Sequence, residues 1–258
     1  MRLENKTILV TGATGIAAAG ARRFAAEGAS VFVVSIDPDE GEELATEVGG
    51  GFAQADLRDE DATVAAVGTG LDRLGHFDGL FAVAGGSGRE FGDGPLHEVS
   101  KTGWDTTIEM NLAPPFLAAR EVIRSIIDGG TSDGSIVFVT SVLASHPSPE
   151  FFATHAYTAA KGAQISLTRG MAAYYASNMI RVNAISPGLV RTPMSERAYN
   201  DEKTSRYAAA KQPLAGGFLS AEDIANAALF LLSDESMQVT GQILEVDGGW
   251  GVTEGATQ

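Results

Sequence analysis

The stretch Thr7-Ile8-Leu9-Val10-Thr11-Gly12-Ala13-Thr14-Gly15 joins a short apolar run to a glycine-rich turn near the N-terminus. The apolar run predicts a buried β-strand, and the segment 16–28 after the turn predicts a helix. Glycines at this point allow a tight turn and let the backbone approach a phosphate, which the free N–H groups of the helix would bind. A strand–helix turn that binds nothing would use the same glycines.

Further short apolar runs follow and alternate with amphipathic segments along the whole chain. Buried strands that alternate with helices are typical of right-handed βαβ units. The sequence therefore predicts an α/β fold, a Rossmann-type doubly wound and mainly parallel sheet with helices on both faces, in a single domain spanning 1–258. The predicted strands are 7–10, 31–34, 52–55, 80–83, 136–139, 180–185 and 243–246, and the predicted helices are 16–28, 39–48, 59–74, 112–127, 155–177 and 221–232.

Composition narrows the functional classes that fit this fold. The formal net charge of -15 over 258 residues disfavours nucleic acids and anionic membrane surfaces as partners. The chain contains no cysteine, and its four histidines show no metal-ligand spacing, so no metal site is expected. No apolar run approaches the roughly 18 residues that span a bilayer. The first strand follows the initiator methionine so closely that no signal peptide is expected, which predicts a cytoplasmic protein.

A second group of residues points to chemistry. Tyr157 and Lys161, in the segment Tyr157-Thr158-Ala159-Ala160-Lys161, are four apart on a predicted helix and so share one face. An ammonium beside a phenol favours the phenolate, which predicts a lowered pKa for Tyr157. Such a phenol could exchange a proton with an alcohol or ketone while a nicotinamide exchanges hydride. Alone, however, each residue would equally suit packing or a solvated charge.

In their order along the chain, these motifs resemble those of the short-chain dehydrogenase/reductase family over essentially its full length. The resemblance implies an NAD(P)-dependent oxidoreductase that interconverts a secondary alcohol and a ketone, with Tyr157 as general acid and base. It also implies that Lys161 binds the nicotinamide ribose, that Ser141 hydrogen-bonds the reacting oxygen, and that Asn111 holds a proton-relay water. The matching residues are Thr11-Gly12 with Gly15, Asp56, Ala84-Gly85, Asn111, Ser141, Tyr157 with Lys161, Pro187-Gly188 with Thr192, Thr240-Gly241-Gln242 and Val246-Asp247-Gly248-Gly249.

The resemblance also implies a dinucleotide site along the carboxyl ends of the strands. Thr192 would contact the nicotinamide carboxamide, and the backbone of Val190 would hold the same group. Asp56 would accept from the adenine amino group, although a helix N-cap is an alternative for this residue. The complete predicted cofactor set is Gly12, Thr14, Gly15, Ile16, Asp37, Asp56, Leu57, Ala84, Gly85, Tyr157, Lys161, Pro187, Gly188, Val190 and Thr192.

The end of the second strand bears on the choice of cofactor. The family usually places an NAD-selecting Asp where Ser35 stands, or an NADP-selecting Arg where Ile36 stands, and this chain has neither. Asp37, followed by further acidic residues, would repel a 2′-phosphate and reach a ribose hydroxyl. The sequence therefore favours NAD without excluding NADP. Capping of the helix that follows Pro38 is an alternative role for Asp37.

Three departures from the family pattern are visible. The glycine loop is one residue shorter than usual, and Ala18 stands where the last glycine is common. The family's Asn-Asn-Ala-Gly is replaced by Ala82-Val83-Ala84-Gly85, so another group must support this sheet edge. The spacing between Ser141 and Tyr157 is also about three residues longer than usual.

The segment 191–217 is expected to form a substrate lid over a largely apolar pocket. The part 191–211 holds five basic and three acidic side chains, which would suit an anionic substrate tail or simply a solvated lid. Two alternatives to an alcohol dehydrogenase or ketone reductase stay open: a 3-oxoacyl thioester reductase and a non-catalytic dinucleotide-binding sensor or scaffold. The resemblance further suggests a homo-oligomer, a homotetramer, built by helices 112–127 and 155–177 and the C-terminal segment.

Overall fold

The computed structural model describes residues 1–129 and 133–254. Within these ranges the chain alternates strands and helices in the order that the sequence predicts. The strands are β1 (Thr7–Thr11), β2 (Ser30–Ser35), β3 (Gly51–Gln54), β4 (Gly79–Ala82), β5 (Gly134–Val139), β6 (Ile180–Pro187) and β7 (Ile243–Val246), and the helices are α1 (Gly15–Ala26), α2 (Pro38–Glu47), α3 (Glu60–Leu74), α4 (Lys101–Asp128), α5 (His155–Tyr175), α6 (Glu196–Asn200), α7 (Glu202–Lys211) and α8 (Ala221–Leu232).

All seven strands form one sheet in the order β3-β2-β1-β4-β5-β6-β7. Every neighbouring pair is parallel, so the carboxyl ends of all strands meet at the same edge. The strand order reverses direction between β1 and β4, which creates a crevice at that edge, the usual ligand position in doubly wound sheets. The predicted single-domain Rossmann-type fold is confirmed.

Two hydrophobic layers pack against opposite faces of this sheet. Because side chains alternate along a strand, Ile8 and Val10 of β1 enter the layer under α1, α2 and α8, whereas Leu9 enters the layer under α3, α4 and α5. The strands are therefore buried on both faces, as parallel strands in α/β proteins generally are. This rigid sheet fixes the positions from which the site residues project.

One helix is much longer than the sequence predicts. Helix α4 begins at Lys101, capped by the Ser100 hydroxyl, which accepts from Gly103 N at 3.0 Å, so the predicted start at residue 112 is wrong. Pro114 and Pro115 lie inside the helix, although a proline normally occupies a first turn. The helix therefore begins well before the predicted position. As a consequence, Asn111 lies in the middle of a helix, where the chain continues through two prolines.

The remaining differences are small. The predicted third strand ends one residue earlier, at Gln54, which leaves Asp56 in the loop beyond the strand. The predicted lid segment contains the two short helices α6 and α7. Among the described helices, none combines the length and the apolar character that crossing a bilayer requires.

Candidate active site

The turn after β1 has the backbone geometry that a bound phosphate requires. Gly12 and Gly15 have φ values of +94° and +53°, a region that residues with a Cβ rarely occupy. Thr14 is the N-cap of α1 but makes no side-chain cap hydrogen bond, and the first turn holds no acidic residue. Among the described residues, the N–H groups of Gly15 and Ile16 have no hydrogen-bond partner. They lie at the N-terminus of α1, which is the positive end of the helix dipole. The residues present fit a pyrophosphate.

The sheet edge beside this turn is supported by a threonine hydroxyl. Thr11 Oγ1 accepts from the backbone N–H groups of Val83 at 3.0 Å and Ala84 at 3.1 Å. These two bonds join the ends of β1 and β4, where the family usually has a pair of asparagines. Thr11 therefore supplies part of the support that the Ala82-Val83 substitution removes.

Asn111 supplies the rest of that support. Its side-chain Oδ1 accepts from Gly86 N at 3.2 Å, and its Nδ2 donates to Gly86 O at 3.0 Å and to Thr107 O at 2.9 Å. The side chain is completely buried, and all of these bonds are internal. A Cβ at Gly85 would lie only 2.8 Å from Asn111 Oδ1, so a bare backbone is needed at this crossing.

The backbone carbonyl of Asn111 is released from the helix by a proline. In a regular helix this carbonyl would accept from the N–H of residue 115, but Pro115 has none. Gln164 Nε2, from α5, donates to the carbonyl instead, at 2.6 Å. Gln164 Oε1 is buried and has no hydrogen-bond partner within the described part of the chain. Gln164 is a residue that the sequence reasoning missed, because a glutamine on a helix carries no motif.

Lys161 lies under the crevice, one turn after Tyr157 on α5. Its Nζ donates to Val139 O, at the end of β5, at 2.9 Å and lies 5.7 Å from the centroid of the Tyr157 ring. The side chain is buried, and burial lowers the pKa of Lys161 to about 8. The predicted sharing of one helix face by the two side chains is confirmed.

The acidity of Tyr157 differs from the sequence expectation. Burial raises the pKa of the phenol, and the hydrogen bond with the Ser141 hydroxyl offsets only part of this effect. The expected lowering by Lys161 is not found, because desolvation of the phenolate is the largest effect and the Ser141 hydrogen bond is what opposes it. Ser141, in the turn after β5, thus touches the predicted acid, as the motif order implies.

A buried carboxylate fixes the start of the helix that carries Tyr157. Thr154, the N-cap of α5, makes no side-chain cap hydrogen bond. Asp93 replaces it: Oδ1 accepts from Ala156 N and Oδ2 from Tyr157 N, each at 2.9 Å. Asp93 is only 5% exposed, and its negative charge lies at the positive end of the helix dipole, where it is stabilising. The sequence reasoning missed this residue, and the only signal was an aspartate between Gly92 and Gly94.

The loop after β6 is held by a buried glutamine. Gln212 Oε1 accepts from Leu189 N, while Nε2 donates to Leu189 O at 3.1 Å and to Gly217 O at 2.6 Å. The same loop continues to Thr192, whose methyl group packs against Gly15 at the glycine turn. The segment 187–192 therefore touches the predicted phosphate site directly.

The two acidic residues expected at the adenosine end both have protein partners. Asp37 is the N-cap of α2, accepting from Glu40 N at 3.0 Å, so the capping alternative is realised. Asp56 is not an N-cap, since Asp59 caps α3. Instead, Asp56 forms a bidentate pair with Arg58, with a closest distance of 2.6 Å, and this hydrogen bond lowers the pKa of Asp56.

One cavity of about 210 Å³ opens at the crevice. Seven predicted residues do not line this cavity and lie instead just after the carboxyl ends of β1 to β4: Gly12, Thr14, Gly15, Asp37, Asp56, Leu57 and Ala84. Among residues 1–129 and 133–254, no group of three histidine or acidic side chains is placed to hold a metal ion. The predicted residues that line the cavity are Ile16, Gly85, Asn111, Ser141, Tyr157, Lys161, Pro187, Gly188, Val190 and Thr192.

Fold and site together define a Rossmann-type protein with a Ser–Tyr–Lys site. A family described as "Enoyl-(Acyl carrier protein) reductase" matches residues 10–251. The chain is 34% identical to "Short-chain dehydrogenase reductase 5" of Arabidopsis thaliana, over 98% of this chain and 97% of that protein. It is 35% identical to "3-oxoacyl-[acyl-carrier-protein] reductase FabG" of Thermotoga maritima, over 96% and 99%.

A solved structure of a short-chain type dehydrogenase/reductase from Mycobacterium ulcerans superposes with a TM-score of 0.90 and 31% identity, covering 98% of this chain and 92% of that one. The chain belongs to the short-chain dehydrogenase/reductase family, and it is an NAD(P)-dependent oxidoreductase. The resemblance inferred from the motifs is confirmed.

Proposed function

We propose that the protein interconverts a secondary alcohol and a ketone by hydride transfer, with Tyr157 as the general acid and base. The observation that carries this proposal is the convergence of Ser141, Tyr157 and Lys161 on one cavity beside the glycine turn. An acid, a hydrogen-bond donor and a lysine at one reacting oxygen suit proton transfer coupled to hydride transfer. A non-catalytic sensor would not need this set.

The raised pKa of Tyr157 keeps the phenol protonated at neutral pH, which is the form that donates to a ketone oxygen. Ser141, hydrogen-bonded to that phenol, would hold the same oxygen in reach. Alcohol oxidation needs the opposite protonation state, so it should become faster as the pH rises. Lys161 would bind the ribose and exchange protons with solvent. The Asn111 carbonyl has a second lone pair with which to hold the relay water.

The cofactor would lie along the carboxyl ends of the strands and supply the hydride. Its pyrophosphate would meet the N–H groups of Gly15 and Ile16, and its adenine amino group would donate to the ionised Asp56. The backbone of Val190 and the side chain of Thr192 would contact the carboxamide. The predicted residues Gly12, Thr14, Leu57, Ala84, Gly85, Pro187 and Gly188 complete this surface.

We further propose NAD as the cofactor. Asp37 is exposed at the end of β2, and the cap leaves its second carboxylate oxygen, Oδ2, without a hydrogen bond from any residue that the structure describes. A carboxylate here suits a ribose hydroxyl and disfavours a 2′-phosphate. The test is a fluorescence titration with NADH and NADPH on the wild type and Asp37→Ala. Tighter binding of NADH that is lost in the variant supports the assignment, whereas a preference for NADPH contradicts it.

We propose that 191–217, with α6 and α7, acts as the substrate lid, that the protein is cytoplasmic, and that it forms a homotetramer. Exposed apolar side chains on the helices that would build the interface support assembly, since Phe116 and Tyr174 are 48% and 74% exposed. Light scattering that finds only a monomer would end the tetramer proposal.

A further inference from the structure

Two arginines converge on the outer part of the cavity, Arg89 from the loop after β4 and Arg197 from α6. They are far apart in the sequence, and only the fold brings them to one cavity. Around them the lining is apolar, formed by Leu143, Phe152 and Met194. Two cations thus border an apolar pocket in a chain whose formal net charge is -15.

Arg89 is held in place without a carboxylate. Its Nη2 donates to Phe151 O at 3.1 Å, and its guanidinium lies 5.9 Å from the centroid of the Phe152 ring. Although the residue as a whole is exposed, the charged end is partly desolvated. Desolvation first, and the positive charge of Arg197 second, lower the pKa of Arg89. The two guanidinium groups therefore repel each other across the cavity.

Neither guanidinium forms an ion pair with any residue of 1–129 or 133–254. Asp93 is the carboxylate that acts on the charge of Arg89, but both of its oxygens accept from α5. Asp201 acts on Arg197 from a distance, and it is engaged by Thr204. Both acids attract the arginines from a distance, but neither forms an ion pair with them, so among the described residues the two guanidinium groups have no carboxylate as a direct partner.

A neighbouring arginine of the lid shows the contrast. Arg206 on α7 donates to Glu202 at 2.7 Å, so that cation has its counter-charge on its own helix. It does not line the cavity. Two like charges kept together at a binding cavity without an ion pair, while Arg206 of the lid has one, indicate a site for an anion.

We propose that Arg89 and Arg197 bind an oxyanion of the substrate, so that the alcohol or ketone carries a carboxylate or a phosphate ester beyond an apolar spacer. This proposal rests on the proposed function, because it uses the same cavity. Phe152 lines the same cavity, its ring lies beside Arg89, and it packs against the buried apolar cluster against which Tyr157 also packs. The reacting carbon would lie at Tyr157, the spacer would cross Phe152, and the anion would end between the arginines.

The experiment compares paired probes that share the ketone and its carbon chain, one with an anionic group and one without it. The carboxylate arm uses levulinate and its longer straight-chain homologues, each against its methyl ester, and the phosphate arm uses hydroxyacetone phosphate against hydroxyacetone. Turnover is measured as kcat/KM with NADH and NADPH, and binding to the protein is measured separately by calorimetry. The variants are Arg89→Gln and Arg197→Gln, with Arg206→Gln as the control that removes the same charge from the lid.

The wild type should favour the charged member of at least one arm by about tenfold or more, the usual effect of hydrogen bonds to a charged group. Arg89→Gln and Arg197→Gln should each lower kcat/KM for the charged probe about tenfold more than for the neutral probe, so that the preference for the charged probe is lost. Arg206→Gln should keep the preference. The arm that shows the preference identifies the anion as a carboxylate or a phosphate.

Equal kcat/KM and equal affinity for charged and neutral probes in both arms would overturn the proposal, even with good turnover. Arginine-dependent binding of an anion without any turnover would instead support the anion site and contradict the proposed redox function. Loss of preference in Arg206→Gln as well as in the other variants would reduce the effect to the general charge of the lid, which also overturns the proposal.

Discussion

The carboxylate of Asp93 accepts a hydrogen bond from the backbone N–H of Tyr157 at 2.9 Å. A second bond, to Ala156 N, completes a cap that α5 does not obtain from its own N-cap residue. The loop that borders the substrate cavity is thereby fastened to the first turn of the helix that carries the general acid. Arg89, four residues before Asp93, belongs to the same loop and lines the cavity. The position of Tyr157 therefore depends on a residue of the substrate side.

Asp93→Ala should both destabilise the fold and slow the reaction. It removes two charge-assisted hydrogen bonds at a buried helix end. The free energy of unfolding, measured by urea denaturation, should therefore fall by about 2–3 kcal/mol. A shifted Tyr157 should lower kcat/KM by about tenfold or more. The matched control is Asp59→Ala, which removes the cap of α3. It should lose about 1 kcal/mol with unchanged kcat/KM, and equal losses of activity in both variants would contradict a positioning role for Asp93.

Gly85→Ala should disturb the crevice itself. Its Cβ would lie 2.8 Å from Asn111 Oδ1 and 3.8 Å from Lys161 Nζ, so the backbone or Asn111 must move. We expect a loss of about 1–3 kcal/mol of stability together with weaker NADH binding by fluorescence titration. Gly94→Ala is the control, because nothing lies within 4 Å of a Cβ there. Unchanged NADH affinity in Gly85→Ala would show that this crossing has no part in cofactor binding.

Periodicity and motif order could predict the sheet, the glycine turn and the Ser–Tyr–Lys set, because each of these is written in local sequence. The first part of the long helix α4 was not predicted: the structure begins the helix at Lys101 and continues it through Pro114 and Pro115, whereas the predicted start was residue 112. The role of Gln164 follows from that same irregularity, since the Asn111 carbonyl needs another donor once Pro115 has no N–H. A tertiary contact of this kind has no local signal.

The electrostatic surroundings of the site residues could not be predicted from the sequence either. The expected lowering of the Tyr157 pKa rested on spacing to Lys161, yet burial of both groups decides the direction. Likewise, Arg89 and Arg197 each resemble an ordinary surface arginine until the fold brings them to one cavity. Desolvation and the distance between residues remote in sequence are properties of the packed chain, and a one-dimensional pattern does not contain them.

Lys161→Met should stabilise the protein below pH 8 while abolishing turnover. The pKa of Lys161 is about 8 in the fold against 10.5 for a lysine in water, so below pH 8 the folded and unfolded states are both protonated and the buried charge destabilises the fold the most. The gain should reach up to about 3 kcal/mol, less the lost bond to Val139. It should shrink between pH 8 and 10.5, as only the unfolded state remains protonated. Urea unfolding across this range is the measurement.

The control for that prediction is Lys101→Met, which removes an exposed lysine paired with Asp105. Its effect on stability should show no such dependence between pH 6 and pH 10. A Lys161→Met variant that is less stable than the wild type throughout this range would contradict the buried-charge explanation.

Gln164→Leu should lower kcat and leave stability nearly unchanged. The variant removes the donor to the Asn111 carbonyl, but it also removes a buried amide oxygen without a partner, so the two contributions to stability oppose each other. We expect kcat to fall by a few-fold up to about tenfold through displacement of Asn111. Thr168→Val, a buried substitution one turn further along α5, serves as the control and should retain kcat. An unchanged kcat in Gln164→Leu would contradict a positioning role and show that Gln164 contributes only to packing.

The most direct test of the central claim is a single-turnover comparison of wild type and Tyr157→Phe, with bound reduced cofactor and a ketone that the wild type reduces. The phenyl ring keeps the packing of Tyr157 and removes only its hydroxyl group, which is the proposed proton donor and the partner of Ser141. Cofactor affinity should stay within a few-fold, while the rate of hydride transfer should fall by roughly 100- to 10,000-fold, the usual contribution of a general acid. A variant that binds cofactor and reduces the ketone at the wild-type rate would contradict the assignment of Tyr157 as the general acid.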